Sequence, residues 1–360
     1  MKLMKKTVAL LLVALMTMTL FVGCAKDKAE NLDQTEVVMV VGDTEVTMNV
    51  ANFFVRYNQS MMEAMYTQYM GEDVWMQKVD KGVTYEDSVK ESLLKELQKM
   101  YIVANHVADY SVELTEDEVK AIEAAADAFI AENKDETTQA KVSADKDTVI
   151  AYLKLHTINE KMAKAMKADV DTTVTDEQAA QKRMRYLEIQ KVATLDDGST
   201  MQMSEEEIKT AQKEAKAFLK GAKENGSMEA YATEAKKETK TLAFAADSTA
   251  LEEKVIKAAD KLKENEFSEV IETETGIYVL QLESEFDADA TEKAKPDVLA
   301  KRQEARYQEL VEKWTKDAKI TVHEKVWEKI SIQGLKVNNV EDPKEEAKEE
   351  TKEKTEETAE

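Results

Sequence analysis

Glycine and proline are both scarce in this sequence, with nine glycines and two prolines among 360 residues. Tight turns and glycine-rich loops are needed for a β-sandwich or a nucleotide-binding sheet, so the composition argues against both folds. Alanine, glutamate, lysine and methionine are plentiful instead, and these residues favour long helices. A chain of this length can form two or three domains, each with its own core.

Basic side chains are also fewer than acidic ones. The chain carries 73 acidic and 50 basic side chains, which gives a net charge of -23 at pH 7. Such a charge repels phosphate backbones and anionic lipid headgroups. It therefore argues against nucleic acid as a partner.

Residues that carry chemistry are few. The three histidines, His106, His156 and His323, are isolated, and no His, Cys or carboxylate spacing typical of zinc occurs. The sequence has neither a glycine-rich phosphate loop nor a Gly-x-Ser-x-Gly motif. We therefore predict no metal and no cofactor, and we expect His106 to pack within an apolar helical stripe.

The N-terminal segment, residues 1–23, is predicted to be a targeting signal, because three lysines precede an apolar run from 8 to 22. Gly23 before Cys24 resembles a bacterial lipobox, although Phe21 stands where leucine is usual. Cys24 is the only cysteine, so it has no disulfide partner within the chain. We favour a lipid on Cys24 and an extracytoplasmic location on the membrane, of the Gram-positive cell-surface type. The alternative is an ordinary secretory signal.

The central stretch, residues 184–285, has the pattern of a small α/β module. It begins with MRYLEIQKV and ends with SEVIETETGIYVLQLES, and both alternate apolar and polar residues as half-buried strands do. A hairpin turn is predicted at 273–276 and another turn at Asn265. Three helices are predicted between the strands, and they begin at Ser204, at Ser227 and near Thr249.

This order resembles the parvulin type of peptidyl-prolyl isomerase domain. The residues that carry the resemblance follow the family's closing pattern without a gap: Leu251, Val255, Ala258, Ala259, Asp260, Leu262, Asn265, Glu266, Ser268, Gly276, Ile277, Tyr278, Val279 and Leu280.

The resemblance also implies a degenerate active site. It places the two site histidines of the family on Tyr186 and Tyr278, and the central Asp or Cys on Thr241. The Met and Phe that hold the substrate proline correspond to Leu251 and Val255. An active isomerase with a rearranged pocket is the alternative.

The start of the mature chain resembles the PrsA and SurA chaperone family. The segment EVVMVVGDTEVTMNVANFF predicts two strands around Gly42 and then a helix, and LTEDEV and VTDEQ resemble that family's helix starts. The resemblance implies an α+β fold, in which a mostly helical, SurA-like N-terminal domain is completed by the C-terminal segment. The parvulin-like domain is inserted between the two parts.

Helices are predicted over residues 52–69, 85–110, 115–132, 145–168, 175–182 and 291–318, and a strand and a short amphipathic piece follow the last of them. Within the first helix, Met61, Met62 and Met65 lie near several tyrosines. Methionine is flexible and polarisable, which suits a surface that accepts many apolar segments. These three residues are candidates for substrate binding, and core packing is the alternative for each.

The predicted layout is a signal at 1–23, a tether at 24–35, a helical domain at 36–182, a parvulin-like domain at 183–286, a C-terminal helix and strand at 287–335 and an acidic tail at 336–360. The expected function is that of a membrane-anchored foldase whose partners are unfolded secreted proteins. A passive surface lipoprotein and a solute-binding lipoprotein are the alternatives from other classes, and a homodimer stays open.

Overall fold

A computed structural model describes residues 32–70, 74–194 and 200–333 of the chain. The predicted signal, Cys24 and the acidic tail lie outside these residues. Among the helices of the described part, none combines the length and the apolar character that crossing a bilayer requires. The chain divides into two compact units, of which the second comprises Val170–Ala305 and the first takes the residues before and after it.

The first unit is mostly helical. Its elements are β1 (Val37–Val41), β2 (Thr44–Thr47), α1 (Met48–Met70), β3 (Lys78–Asp80), β4 (Val83–Thr84), α2 (Tyr85–Ala104), α3 (Glu116–Glu132), α4 (Glu136–Val142), α5 (Lys146–Met166), the end of α10 (Ala288–Asp317), β11 (Ile320–Val322) and α11 (Glu324–Trp327). Short 3-10 helices cover Val74–Met76 and Val107–Tyr110.

Helix starts in this unit follow from side-chain caps. Thr84 and Thr115 each form a capping box with an acid three residues later, and Asp145 caps α5. These caps satisfy amide groups that have no partner within the helix. The predicted helix at 85–110 ends early, because the side-chain amide of Asn105 donates to the carbonyl of Val41 and the chain turns there.

The C-terminal segment completes the core of the first unit. Strand β11 pairs antiparallel with β1, in the sheet order β11-β1-β2. Trp327, Ile330 and Ile332 are all buried in the same apolar cluster as Phe53 of α1. The carboxylate of Glu86 also accepts a hydrogen bond of 2.5 Å from the amide of Ile332. The predicted α+β fold with a returning C-terminal segment is therefore confirmed.

The second unit is built on a four-stranded antiparallel sheet of order β8-β5-β10-β9. Its elements are α6 (Asp176–Ala179), β5 (Lys182–Gln190), β6 (Val192–Thr194), β7 (Thr200–Gln202), α7 (Glu205–Asn225), α8 (Met228–Ala235), β8 (Lys240–Phe244), α9 (Glu253–Asp260), β9 (Ile271–Glu272), β10 (Gly276–Ser284) and the start of α10.

Each face of this sheet has its own apolar core. Helices α7 and α8 pack on the face that bears Leu187, Ile277 and Val279. Helix α9 packs on the opposite face, which bears Met184 and Leu280. Successive side chains of β5 and β10 point to opposite faces of the sheet, so each strand contributes side chains to both cores.

Several predictions for this unit are confirmed. Ser204 and Ser227 cap α7 and α8, Asn265 has a positive φ of 65°, and a turn joins β9 to β10. Two predicted helices are shorter than expected: the helix at 175–182 is a single turn, and the third helix of the module begins at Glu253. The hairpin of β6 and β7 was not predicted.

Candidate functional site

The two tyrosines at the histidine positions of the parvulin family lie side by side on one face of the sheet. Leu280 pairs with Tyr186 and Tyr278 pairs with Glu188 across β10 and β5, so these residues share a face. The ring centroids of Tyr186 and Tyr278 are 6.3 Å apart. The structure therefore brings together two of the three predicted catalytic positions.

The carboxylate of Glu188 connects Tyr278 to a lysine. The hydroxyl of Tyr278 donates to Oε1 of Glu188 at 3.0 Å, and Nζ of Lys240 donates to Oε2 at 2.8 Å. Sequence reasoning missed Glu188 and Lys240. Glu188 could have been found, because it lies two residues after Tyr186 on a strand and must share its face. Lys240 could be found only once the register of β8 against β5 was known.

The environment keeps both phenols protonated. Burial, together with the hydrogen bond to Glu188, raises the pKa of Tyr278 to about 12. Burial also raises the pKa of Tyr186, while the hydrogen bond to Glu188 raises the pKa of Lys240. At neutral pH the group thus holds two neutral phenols and a paired ammonium, which can donate hydrogen bonds but cannot act as bases.

Thr241 does not belong to this group. In the pairing of β5 with β8, Thr241 lies opposite Arg185, whereas Lys240 lies opposite Tyr186. Adjacent residues of a strand point to opposite faces, so Thr241 is on the other side of the sheet from the tyrosines. Its side chain is exposed. This register corrects the prediction that Thr241 is the central residue of the site, because Lys240 lies beside Tyr186 instead.

The two residues at the proline-holding positions belong to the core. Val255 is fully buried and Leu251 is partly buried, and both pack in the cluster that contains the tyrosines. Tyr186 and Tyr278 are themselves only 7% and 3% exposed. In this structure Val255 therefore offers no surface to a substrate, because helix α9 presses it onto the sheet.

Asp260 stands where the family has a second aromatic residue. Its carboxylate pairs with Nζ of Lys182 at 2.9 Å. Lys182 begins β5; Tyr186 is four residues further along the strand, about 13 Å, and Tyr278 lies opposite Glu188, about 20 Å from Lys182 along the strand. The carboxylate of Asp260 is thus held at the far end of the sheet from the tyrosines.

Gly276 makes room for the ring of Tyr278. A Cβ atom at this position would lie 2.9 Å from the Tyr278 ring, closer than packed atoms approach. Gly276 is buried and starts β10 after the turn, where its backbone amide donates a hydrogen bond of 3.0 Å to the hydroxyl oxygen of Thr273. The glycine that the family pattern requires here therefore has a steric reason in this chain.

The candidate methionines of α1 have different environments. Met61 is 54% exposed, whereas Met62 is partly buried against the core of the first unit. The side chain of Met65 lies outside the described part of the structure. Exposed apolar side chains also occur nearby in sequence at Met76, Val79 and Val83.

Within the described residues, no group of three His, Cys, Asp or Glu side chains could hold a metal ion. His106 stacks on Trp314 with ring centroids 4.0 Å apart, and its Nδ1 lies 2.7 Å from Oδ2 of Asp109. This half-buried packing agrees with the prediction for His106.

Comparison with known proteins agrees with the parvulin resemblance. Residues 186–292 match the family profile described as the PPIC-type PPIASE domain. Among solved structures, the foldase protein PrsA of Lactococcus lactis is 14% identical over 82% of this chain and 100% of its own, with a TM-score of 0.33. PrsA of Streptococcus pneumoniae is 22% identical over 71% of this chain and 97% of its own, with a TM-score of 0.30.

SurA-like chaperones of Campylobacter jejuni are also similar, at 10% identity over 80% of this chain and 99% of the other, with a TM-score of 0.30. A search of curated proteins found no match. Residues 186–292 are therefore a PPIC-type domain, within a chain that is similar to PrsA and SurA-like foldases as the sequence predicted.

Proposed function

We propose that this protein is an extracytoplasmic foldase that holds unfolded secreted proteins. The observation that carries the proposal is the PPIC-type domain at residues 186–292, joined to a helical unit that the C-terminal segment completes. Apolar side chains at Met61, Met76 and Val79 are more than half exposed on that helical unit. They supply the kind of adaptable surface that an apolar client segment can contact.

Suppression of aggregation tests the chaperone role. The chain from Ala25 onward, at several-fold excess, is expected to keep a chemically unfolded client from scattering light. Met61→Lys should weaken the effect, because it places a charge on an exposed apolar side chain of the helical unit. Met201→Lys is a matched control, since Met201 is 58% exposed in the other unit. No suppression by the unmodified chain would contradict the proposal.

We further propose that the PPIC-type domain has little isomerase activity. Prolyl isomerisation needs no nucleophile, because its barrier of roughly 20 kcal/mol falls when the ring is held in an apolar pocket and the amide is desolvated. The support here is that Val255 is fully buried and that the tyrosine pair lies within the core. Losing the ring-holding aromatic would cost about 1 to 2 kcal/mol of transition-state binding.

An exchange assay on proline tetrapeptides, read by NMR, tests this second proposal. The chain from Ala25 onward is expected to leave the rate close to the uncatalysed one. A rate well above it, which Tyr278→Phe or Leu251→Ala abolishes, would make the protein an active isomerase. That is the alternative function, and it is favoured by the family to which the domain belongs.

The lipid anchor is a third proposal, because Cys24 lies outside the described residues. Its support is the sequence around Cys24: an apolar run followed by Gly23 and the only cysteine of the chain. Labelled fatty acid or glycerol should enter the natural protein and not the Cys24→Ser variant. Equal labelling of both proteins, or labelling of neither, would contradict the lipid anchor. Residues 1–23 would then be interpreted as an ordinary secretory signal.

The two alternative functions, a solute-binding lipoprotein and a passive surface lipoprotein, predict different structures and assay results. A solute-binding lipoprotein needs two α/β lobes, whereas the larger sheets of the described residues are antiparallel and have three and four strands. A passive surface lipoprotein would give no suppression of aggregation. The aggregation assay thus separates the foldase from a passive protein.

A further inference from the structure

Helix α7 carries a stripe of lysines on its exposed side. The five lysines of this stripe are Lys209, Lys213, Lys216, Lys220 and Lys223. All five are exposed, and at 3.6 residues per turn they fall within an arc of about 80°. Along the helix axis they extend over about 21 Å. We call this surface the lysine stripe.

The stripe stands out because the whole protein is strongly acidic, with a net charge of -23. Lys209, Lys213 and Lys216 make no ion pair with any described residue. Lys220 has only a long pair of 3.8 Å to Glu224, and Lys223 pairs with Glu269 at 3.1 Å. The positive charge of the stripe is therefore mostly available to a partner.

A groove runs beside the C-terminal half of the stripe. Its volume is about 560 Å³, and its lining residues are Lys216, Leu219, Lys220, Lys223, Glu224, Glu269 and Val270. Val270 is partly buried and Leu219 is buried, so the floor is apolar while the rim is charged. Leu219 packs with the cluster on the α7 face of the sheet, away from Tyr186 and Tyr278.

We propose that this groove and the lysine stripe bind an acidic, extended peptide segment of a client protein. An apolar side chain of the segment enters the groove over Val270, and flanking carboxylates pair with lysines of the stripe. In an extended peptide, alternate side chains lie on one side about 7 Å apart, a spacing that lysines three or four residues apart on a helix can meet. This inference rests on the proposed client-binding function and assigns it a second surface.

The apolar floor and the two rim carboxylates favour a peptide over a phosphate-rich surface. A lipid headgroup layer or a phosphate polymer would use the lysines alone and would be repelled by Glu224 and Glu269. A peptide can place an apolar group between those carboxylates and reach the unpaired lysines with its own acids. Clients of this composition would be repelled by most of the protein and attracted at this surface.

Fluorescence anisotropy tests the proposal with the chain from Ala25 onward. The probe is a short labelled peptide with glutamate at alternate positions and one central leucine. We expect the triple variant Lys216→Gln, Lys220→Gln, Lys223→Gln to bind it at least about tenfold more weakly. Binding should also weaken steeply as sodium chloride is added, because exposed pairs are screened.

A matched control removes the same charge elsewhere. Lys313 and Lys316 are exposed at the end of α10 in the other unit, Lys319 is exposed just after that helix, and none of the three makes an ion pair among the described residues. Changing these three to glutamine should alter binding by less than about twofold. Equal losses in the two triple variants would overturn the proposal, because only the net charge would then matter.

Two further probes exclude other occupants. Replacing the leucine of the peptide by serine should weaken binding, and vesicles rich in phosphatidylglycerol should not compete. Binding that ignores the leucine and is displaced by such vesicles would indicate an anionic lipid surface and would overturn the proposal. Binding that appears only when residues 341–360 are deleted would indicate the chain's own acidic tail and would overturn it as well.

The outcomes separate this inference from the proposed function. A chain that suppresses aggregation but does not bind the acidic peptide would refute the lysine stripe and leave the foldase intact. A chain that binds the peptide through the stripe but suppresses no aggregation would refute the foldase instead.

Discussion

At the scale of single residues, the phenol of Tyr278 is buried in the sheet and hydrogen-bonded to a carboxylate. It is 3% exposed and donates to Glu188, whose other oxygen accepts from Lys240. Tyr278→Phe keeps the ring and removes that hydrogen bond, so we expect a loss of about 1 to 3 kcal/mol in the free energy of unfolding. Chemical denaturation at neutral pH measures this loss.

The same substitution predicts a change at high pH. In the unfolded chain the phenol loses its proton near pH 10, and in the folded protein the pKa of Tyr278 is raised to about 12. The stability from this group is thus fully present below pH 10 and is lost as the pH rises from 10 to 12. Tyr278→Phe should reduce that loss of stability, and an unchanged loss in this variant would contradict the assignment.

Gly221 offers a second test, because it lies under the ring of Tyr231. A Cβ at Gly221 would be 2.0 Å from Cζ of that ring, which packs against Phe218 with centroids 5.3 Å apart. Alanine normally stabilises a helix interior by about 0.5 to 1 kcal/mol over glycine. Here we expect Gly221→Ala to destabilise by about 1 to 3 kcal/mol, because the ring must leave its place. Thermal unfolding measures the change.

The sign of the effect should reverse when the ring is absent. In a Tyr231→Ala background, Gly221→Ala is expected to raise the melting temperature, since only its helix propensity then counts. If alanine at position 221 lowers stability equally in both backgrounds, the contact between Gly221 and Tyr231 does not explain its cost.

At the scale of secondary-structure elements, the last described segment determines whether the first unit is complete. Strand β11 covers one edge of β1, and Trp327, Ile330 and Ile332 each fill the core behind it. A chain that ends at Ala318 loses all of these contacts. We expect its first unit to lose most amide protection in hydrogen exchange, because burying one large side chain contributes about 3 to 5 kcal/mol.

A longer truncation provides the control. A chain that ends at Gln333 keeps β11 and the three core side chains, so its exchange pattern should equal that of the full chain. The second unit has separate apolar clusters, and its amides should stay protected in both truncations. Full protection of the first unit without β11 would show that the N-terminal helices are stable by themselves.

At the scale of the whole molecule, the net charge of -23 opposes the compact state. Added salt screens this repulsion, because the Debye length falls to about 10 Å at 0.1 M. We therefore expect the melting temperature to rise by a few degrees between low and moderate sodium chloride. The triple variant at Lys313, Lys316 and Lys319 is more acidic and should rise further; a fall in both proteins would contradict this account.

Much of the fold was determined by the sequence itself, because the signals are local. Capping residues such as Thr115 and Ser204, the turn glycine Gly42 and the alternation of β5 act within a few residues of themselves. The parvulin pattern from Leu251 to Leu280, which has no gap, predicted the order of the helix, turn and strand in that part of the chain. These signals assigned Tyr186 and Tyr278 to strands, whereas the pairing of β5 with β10 puts the two side chains on one face.

The remaining features were decided by contacts between residues distant in sequence. Strand register alone puts Lys240, and not Thr241, beside Tyr186, and a shift of one residue would exchange them. The docking of α9 decides that Val255 is buried instead of open to a proline. Lys240 is 54 residues from Tyr186, and Val255 is 25 residues from Leu280 and 71 from Met184 in its cluster. No local pattern of β8 or α9 encodes contacts over such separations.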